Sequence, residues 1–394
     1  MPTPAPLSRL LPALLALAAA APGRADDEAY ALRALPTQRT TVAAGAYFPR
    51  VLLLDNGDLL ASFKTGAGHV GKAGRSSLSR SRDGGLTWSE PVTAFDLPDA
   101  DDSLDACAQL RDGTLVFAAV SYRWRGEKYS YADWRADTYV IRSSDRGETW
   151  TPPAKVDIAP FTWAYPFGRI LELPDGELIM TLFGGYLPVS LSGTPEDDKD
   201  DETRALRRLG DAKPEAQRGD FSFLLRSRDG GRTWGDASVI ARDHNEVCAI
   251  RLADGRLMAA IRHSDRGGRL DATFSSDGGR TWSPPAPLTR NRQHPADLLA
   301  LRNGDILLSY GERNKPYGVQ AVVSRDQGAT WDFGHRYLLA ADGDHGDLGY
   351  AVTVERADGK LVTIYYVVYG QEGRFRMEGA APEGAFTKAV IWER

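Results

Sequence analysis

One octapeptide, written five times, constrains this chain more than any other feature in it. The copies are SRDGGLTW from Ser81 to Trp88, SSDRGETW from Ser143 to Trp150, SRDGGRTW from Ser227 to Trp234, SSDGGRTW from Ser275 to Trp282, and SRDQGATW from Ser324 to Trp331. A unit repeated at such a period implies stacked copies of one supersecondary element, so the fold question becomes how many units there are and how they close. The octapeptide itself reads as structural. Asp and Ser side chains bond backbone N–H groups in a tight turn, glycine supplies the positive φ, and Trp packs its ring beneath the loop. Asp83, Asp145, Asp229, Asp277 and Asp326 are therefore turn residues, although they resemble acid catalysts.

A second repeat counts the units. An apolar strand, a D-G or N-G turn and a second apolar strand recur around Gly57, Gly113, Gly176, Gly255, Gly304 and Gly359. Such a pair flanked by strand-formers is the strongest short hairpin signal. Six hairpins, five of them followed by the octapeptide, predict an all-β, six-bladed propeller of four-stranded blades. The D-G hairpin joins the two inner strands of a blade and the octapeptide turn joins the two outer ones. The sixth hairpin has no octapeptide, so a terminal segment, either Ala31 to Val42 or Ala389 to Arg394, is expected to complete that blade and fasten the ring. Successive turn glycines stand 49 to 63 residues apart, except for the 79 between Gly176 and Gly255. The surplus, Leu191 to Asp220, is polar with an acidic run and a short helical stretch near Arg204 to Leu209. It reads as a solvated surface loop, with a lid beside a central site as the sharper alternative.

The N-terminus carries Arg9, an apolar run from Leu10 to Ala20, then small residues with a cut expected after Ala25. This is the pattern of a secretory signal peptide, too short for a convincing membrane span, and it leaves residues 26–394 as one secreted or periplasmic domain. The net charge of −5 is spread over interspersed acidic and basic residues, which argues against a nucleic-acid stripe or a polybasic membrane patch. Cys107 and Cys248 each precede a turn in a different repeat and read as buried, unpaired thiols. The expectation is a monomer with no cofactor and no metal.

In a propeller, equivalent positions of the innermost strands converge near the axis. Nine to eleven residues before each turn glycine stand Tyr47, Asp102, Tyr165, the run His244, Asn245 and Glu246, then His294 and Tyr350. Seven residues after it stand Lys64, Arg262 and Tyr366, with His69, His263 and Arg313 close behind. A rim so rich in polar and aromatic groups is a site hypothesis; a solvated rim is the plain alternative.

The five octapeptides and six hairpins resemble the Asp-box (BNR-repeat) propellers of the sialidase, or neuraminidase, superfamily, over roughly Gly45 to Tyr369. Three local matches carry the resemblance further. The segment from His244 to Gly255 is similar to the one that holds the family's catalytic glutamate, which falls on Glu246. Arg262 falls on one arginine of the carboxylate-binding triad. Tyr350, in Leu348-Gly349-Tyr350-Ala351-Val352, falls on the tyrosine nucleophile. The family's first arginine lies in an R-I-P motif, whereas this chain reads Tyr47-Phe48-Pro49-Arg50; Tyr47 takes that place and Arg50 is displaced by three residues. The family's acid/base aspartate has no acidic counterpart from Phe63 to Arg82, where His69 is the titratable candidate. Arg313 is the nearest match to the third arginine.

The resemblance implies an exo-acting glycosidase for a glycan ending in an acidic or unusual sugar. Tyr350 would be nucleophile or acid/base relay, Glu246 its base and His69 the proton donor. Arg262, Arg50, Arg313, Tyr47, His244, His294 and Tyr165 would bind substrate. A carbon that carries a carboxylate repels an anionic nucleophile but not a phenol, and a phenol with a pKa near ~10 needs a base beside it. Sialidases are the tyrosine exception among glycosidases. Arginine grips the sugar's carboxylate in a two-point fork. Two alternatives from other classes stay open: a polysaccharide lyase or His-dependent glycosidase on the same ring, and a non-catalytic glycan-binding propeller in which Asp102, Asp105, Asp297 and the histidines hold a structural cation.

Overall fold

The computed structural model describes residues 31–34, 38–124, 126, 134–186, 220–265, 267–370 and 384–394. The signal peptide and, apart from Asp220, the surplus segment lie outside them. Among the described residues every regular element is a strand, and the strands form an all-β, propeller-like array of antiparallel meanders. The first meander runs Tyr47–Leu53, Leu59–Thr65, Arg75–Ser81 and Val92–Phe95 in spatial order. An eight-stranded sheet follows. It is two such meanders, opening with Asp101–Gln109 and Trp163–Glu172, whose first strands touch through the short parallel pairing of Ala106 with Gly168 and Cys107 with Arg169. Two further meanders open with His244–Arg251 and Gln293–Ala300.

The last meander answers the question of closure. It orders Leu348–Glu355, Leu361–Val368, Ala385–Trp392 and then Gln38–Ala44. The sequence offered one terminal segment or the other; the chain uses both, side by side. Ala31–Ala34 goes further and adds a parallel fifth strand beside His335–Ala340 of the preceding meander.

The cores lie between sheets rather than within them. Val51, Leu59 and Phe63 of the first meander pack with Val352, Val362, Ile364 and Ala389 of the last. Leu52, Leu60 and Leu78 pack the other face of the first meander onto Leu104, Leu115 and Phe117 of the second. Each sheet buries both faces, which is why these strands read as nearly continuous apolar runs.

Within the octapeptides, the Asp83 carboxylate accepts the Ser81 hydroxyl at 2.8 Å, the Thr87 N–H at 3.0 Å and the Thr87 hydroxyl at 2.6 Å. The same bonds recur at Asp145, Asp229, Asp277 and Asp326. An antiparallel meander alternates ends, so the octapeptide and D-G turns share one end of the array. The starts of the first strands share the other.

At that other end the ladder is broken in a regular way. The first strand of each meander shows a register shift against the second, near its start or at its middle: Tyr47/Arg50, Leu104/Ala106, Pro166/Ile170, His244/Val247, Gln293/Ala296 and Gly349/Val352. A bulge bends its strand and re-aims a side chain, which is how strands that otherwise pack a core present groups to a common mouth.

Candidate active site

The mouth centres on Tyr350. Its residue adopts φ +52°, unusual for a bulky side chain, and Gly349 before it has φ +116°. The Tyr350 hydroxyl donates a short hydrogen bond to Glu246 Oε1. Arg262 Nη1 donates to Glu246 Oε2 at 2.8 Å, so the two carboxylate oxygens have different partners. Burial pushes the Glu246 carboxyl up, but the Arg262 charge, the bonds from Tyr350 and Arg262, and the Arg313 charge together hold it below the usual carboxylate value. Burial and then the Glu246 charge push the Tyr350 phenol well above its ordinary value. The resting pair is thus a neutral phenol donating to a carboxylate, with the proton on tyrosine until something displaces it.

Three orphaned nitrogens belong to residues of the same electrostatic cluster. Arg262 Nε, Arg313 Nε and His294 Nδ1 are buried without a hydrogen-bond partner. Burial, then the charges of Arg313, Arg262 and Arg292, hold the His294 imidazole far below its ordinary value, so it is neutral. His294 adds polarity but no positive charge.

A second set stands across the Phe48 ring. Phe48 lies 4.8 Å from Tyr350 and 5.0 Å from His69, ring centre to ring centre. His69 Nε2 meets Asp347 Oδ1 at 2.8 Å, and the Tyr366 hydroxyl donates to the same oxygen at 2.8 Å. Lys64 Nζ donates to the His69 carbonyl at 2.8 Å and pairs with Asp101 at 2.6 Å. Asp347 fixes the direction of the His69 ring through Nε2, while Lys64 anchors the His69 backbone.

The remaining sequence candidates scatter around this core. Tyr47 is buried beneath His69 and Tyr366, and Phe48, whose φ of +51° matches that of Tyr350, is the residue turned toward Tyr350. Tyr47, which takes the place of the first arginine in sequence, contacts His69 and Tyr366, and the apolar Phe48 lies opposite Tyr350. Arg50 lies under the floor, its Nε donating to the Asp105 carbonyl at 2.6 Å and its guanidinium 4.1 Å over the Phe167 ring. Tyr165 stacks on Phe183 at 5.0 Å, and the Asp105 charge adds to burial in raising its phenol. His244 turns away from Glu246. Its Nδ1 meets the Arg242 carbonyl at 2.6 Å and its Nε2 meets Asp271 at 3.0 Å, because its register partner is His263 while the bulge sends Glu246 to the centre.

Among the described residues the axial carboxylates are not grouped closely enough to share an ion. Asp297 is forked by Arg169, Nε to Oδ1 at 3.1 Å and Nη2 to Oδ2 at 2.8 Å, and Asp102 accepts the Leu97 N–H at 2.5 Å. Among the described residues, the His, Cys, Asp or Glu group with ligand atoms close enough to share an ion is His244, His263 and Asp271. Asp347, Phe48 and Arg169 are the residues that sequence reasoning missed. Asp347 stood in view, three residues before Tyr350 in a strand-entry segment; nothing local marked Phe48 or Arg169.

The chain belongs to the BNR repeat-like domain family, whose model matches residues 127–363. No curated protein matches it. Among solved structures it is similar to a protein of unknown function from Dyadobacter fermentans, at 22% identity and TM-score 0.71 over 90% of this chain and 97% of that one. It is similar to the intramolecular trans-sialidase from Ruminococcus gnavus at 14% identity and TM-score 0.63, over 90% and 95%. It also shares its fold with the α-L-arabinanase of Penicillium chrysogenum, at 15% identity and TM-score 0.59 over 91% and 98%. Among the described residues no helix is long and apolar enough to cross a membrane.

Proposed function

We propose that this chain is an exported, six-bladed Asp-box propeller that acts as a retaining glycoside hydrolase of sialidase type, removing a terminal acidic sugar from a glycan. The observation that carries the reading is the pair of arginines. Arg262 and Arg313 both act on Glu246, Tyr350 and His294, and each keeps a buried Nε–H unsatisfied. A buried charged donor without a partner costs on the order of 1–3 kcal/mol, and a sugar carboxylate laid between the two removes that cost.

The chemistry then follows from the proton inventory. Tyr350 Oη attacks the anomeric carbon as its proton passes to Glu246 Oε1, so no free phenolate forms. The glycosidic C–O bond breaks, and the leaving oxygen takes a proton from His69, whose ring Asp347 orients. Water then attacks the glycosyl-tyrosine with His69 as base, and the phenol recovers its proton from Glu246. Arg262 spans both duties: Nη1 fixes Glu246, and Nε faces the sugar acid.

A panel of sialosides, uronides and deoxy-sugar glycosides, read for new reducing ends and for the ultraviolet absorbance of an unsaturated product, tests this. Glu246→Gln and Tyr350→Phe should each lower turnover at least about 10²-fold. Wild-type turnover in both variants would refute the assignment. An unsaturated product would redirect it to elimination.

A further inference from the structure

One side of the same mouth is built of rings that the proposed chemistry does not use. Tyr122 and Trp134 come from the second meander, at the end of its second strand and just before its third; Trp163, Tyr165 and Phe183 come from the third, at the start of its first strand and near the end of its second. Both sets of positions fall at the end of the array that carries Tyr350. All five side chains are half-buried, and none belongs to the apolar clusters between sheets. Their centres form an unbroken chain: Trp163 to Trp134 at 5.2 Å, Trp134 to Tyr122 at 5.6 Å, Tyr122 to Tyr165 at 5.8 Å, and Tyr165 to Phe183 at 5.0 Å. Phe183 continues to Phe167 at 6.4 Å, and Phe167 to Tyr350 at 5.7 Å.

We infer that this wall is a set of subsites for the pyranose rings on the leaving-group side of a glycan chain, so that the natural substrate is an oligosaccharide of several units. The inference rests on the reading of the mouth as a glycan site, and it adds the class of chain beyond the terminal sugar. Two observations select sugars as the occupant. The rings lead away from Tyr350 across the third meander to the second, which gives a chain leaving the scissile bond a path. The indoles of Trp134 and Trp163 and the phenol of Tyr122 each join a flat apolar ring to a polar atom, matching the alternating C–H faces and hydroxyl edges of a pyranose. A neutral wall also contrasts with the arginines on the other side, so one face of the mouth takes an acid and the other takes uncharged rings.

The test uses an array of immobilised oligosaccharides of two to six units, in neutral and acid-terminated series, probed with the full-length protein and with Trp134→Ala and Trp163→Ala. The wild type should retain acid-terminated chains more strongly as they lengthen. Each variant should lose about tenfold, or about 1.4 kcal/mol, on the longest chains while acid-terminated disaccharides are held as before, which is within the cost of truncating an aromatic anchor. Trp134→Tyr, which keeps a ring, should restore most of the loss and guards against a misfolded alanine variant. Retention independent of chain length, or unchanged long-chain retention in both alanine variants, overturns the wall. Ring-dependent capture of neutral chains with no preference for an acidic end would instead refute the acidic-sugar reading and leave the wall standing.

Discussion

His294 offers the most demanding test of the electrostatics of the mouth. It is 5% exposed, its Nδ1 has no partner, and Arg313, Arg262 and Arg292 press on it, so the folded protein keeps it neutral. The unfolded chain protonates the same imidazole near pH ~6.5. Below that pH only the unfolded state gains a proton, so stability is lost as pH falls. The loss is set by the unfolded value alone once the folded value lies below the assay range. At pH 5 it amounts to about 2 kcal/mol, from about 1.4 kcal/mol per pH unit. For a fold of this size, with about 2.1 cal/mol/K of unfolding entropy per residue, that is a shift of roughly 3 °C in Tm. His294→Gln removes the titration and keeps a polar group. Whatever fixed cost the substitution carries appears at every pH, and the other titrating groups cancel in the comparison. Scanning calorimetry at pH 5, 6, 7 and 8 should therefore show the wild type losing about 3 °C more than the variant between pH 8 and pH 5. Parallel curves would mean that the folded protein protonates His294, and the cationic mouth would be refuted.

Two further outcomes follow from the fold. Arg169→Met leaves Asp297, 3% exposed, with the Thr353 N–H as its main remaining partner; it should cost about 3–5 kcal/mol by urea unfolding, and Arg169→Met combined with Asp297→Leu should recover most of it. Gly349→Ala places a Cβ 3.2 Å from the Gly311 Cα at a φ of +116°, so it should lower kcat on the cleaved glycan of the panel at least about tenfold by displacing Tyr350, with the loss followed in steady-state kinetics and Tm checked beside it.

The repeat was legible because local chemistry writes it. A D-G turn between strand-formers and a Ser/Asp/Gly/Thr/Trp turn each state their own geometry, so hairpins, turn aspartates and the buried thiols Cys107 and Cys248 could be read position by position. Tyr350, Glu246 and Arg262 were legible by their offsets from those turns, and the structure brings them into contact. What the offsets hide is the bulge. A register shift near the start of a strand moves a side chain from one face to the other without changing any count in the sequence. That is why counting alone does not show that Phe48 rather than Tyr47 contacts Tyr350, or that His244 pairs with Asp271 rather than with Glu246. Arg169 escaped for a different reason: its partner Asp297 lies two meanders away, and no local pattern connects them.

The bulges also explain why the two ends of one array behave so differently. At the turn end each aspartate spends its oxygens on its own loop, so the carboxylates are saturated within a few residues of sequence. At the mouth the bulged strands cannot satisfy their side chains locally, and the groups reach across meanders instead: Tyr350 to Glu246, 104 residues apart, and His69 to Asp347, 278 apart. Long-range pairing of this kind depends on how closely the backbones approach. Gly311 has no room for a Cβ, which would fall 2.8 Å from the His294 carbonyl oxygen and 3.0 Å from the Gly349 Cα. The fifth and last meanders therefore touch backbone to backbone directly behind Tyr350 and beside His294. A ring that packs its sheets through large apolar side chains has become, at this one seam, glycine against glycine. The strain of a tyrosine at positive φ is borne there by a rigid backing that a bulkier residue would pry apart, and it holds the phenol oxygen on Glu246 before any substrate arrives.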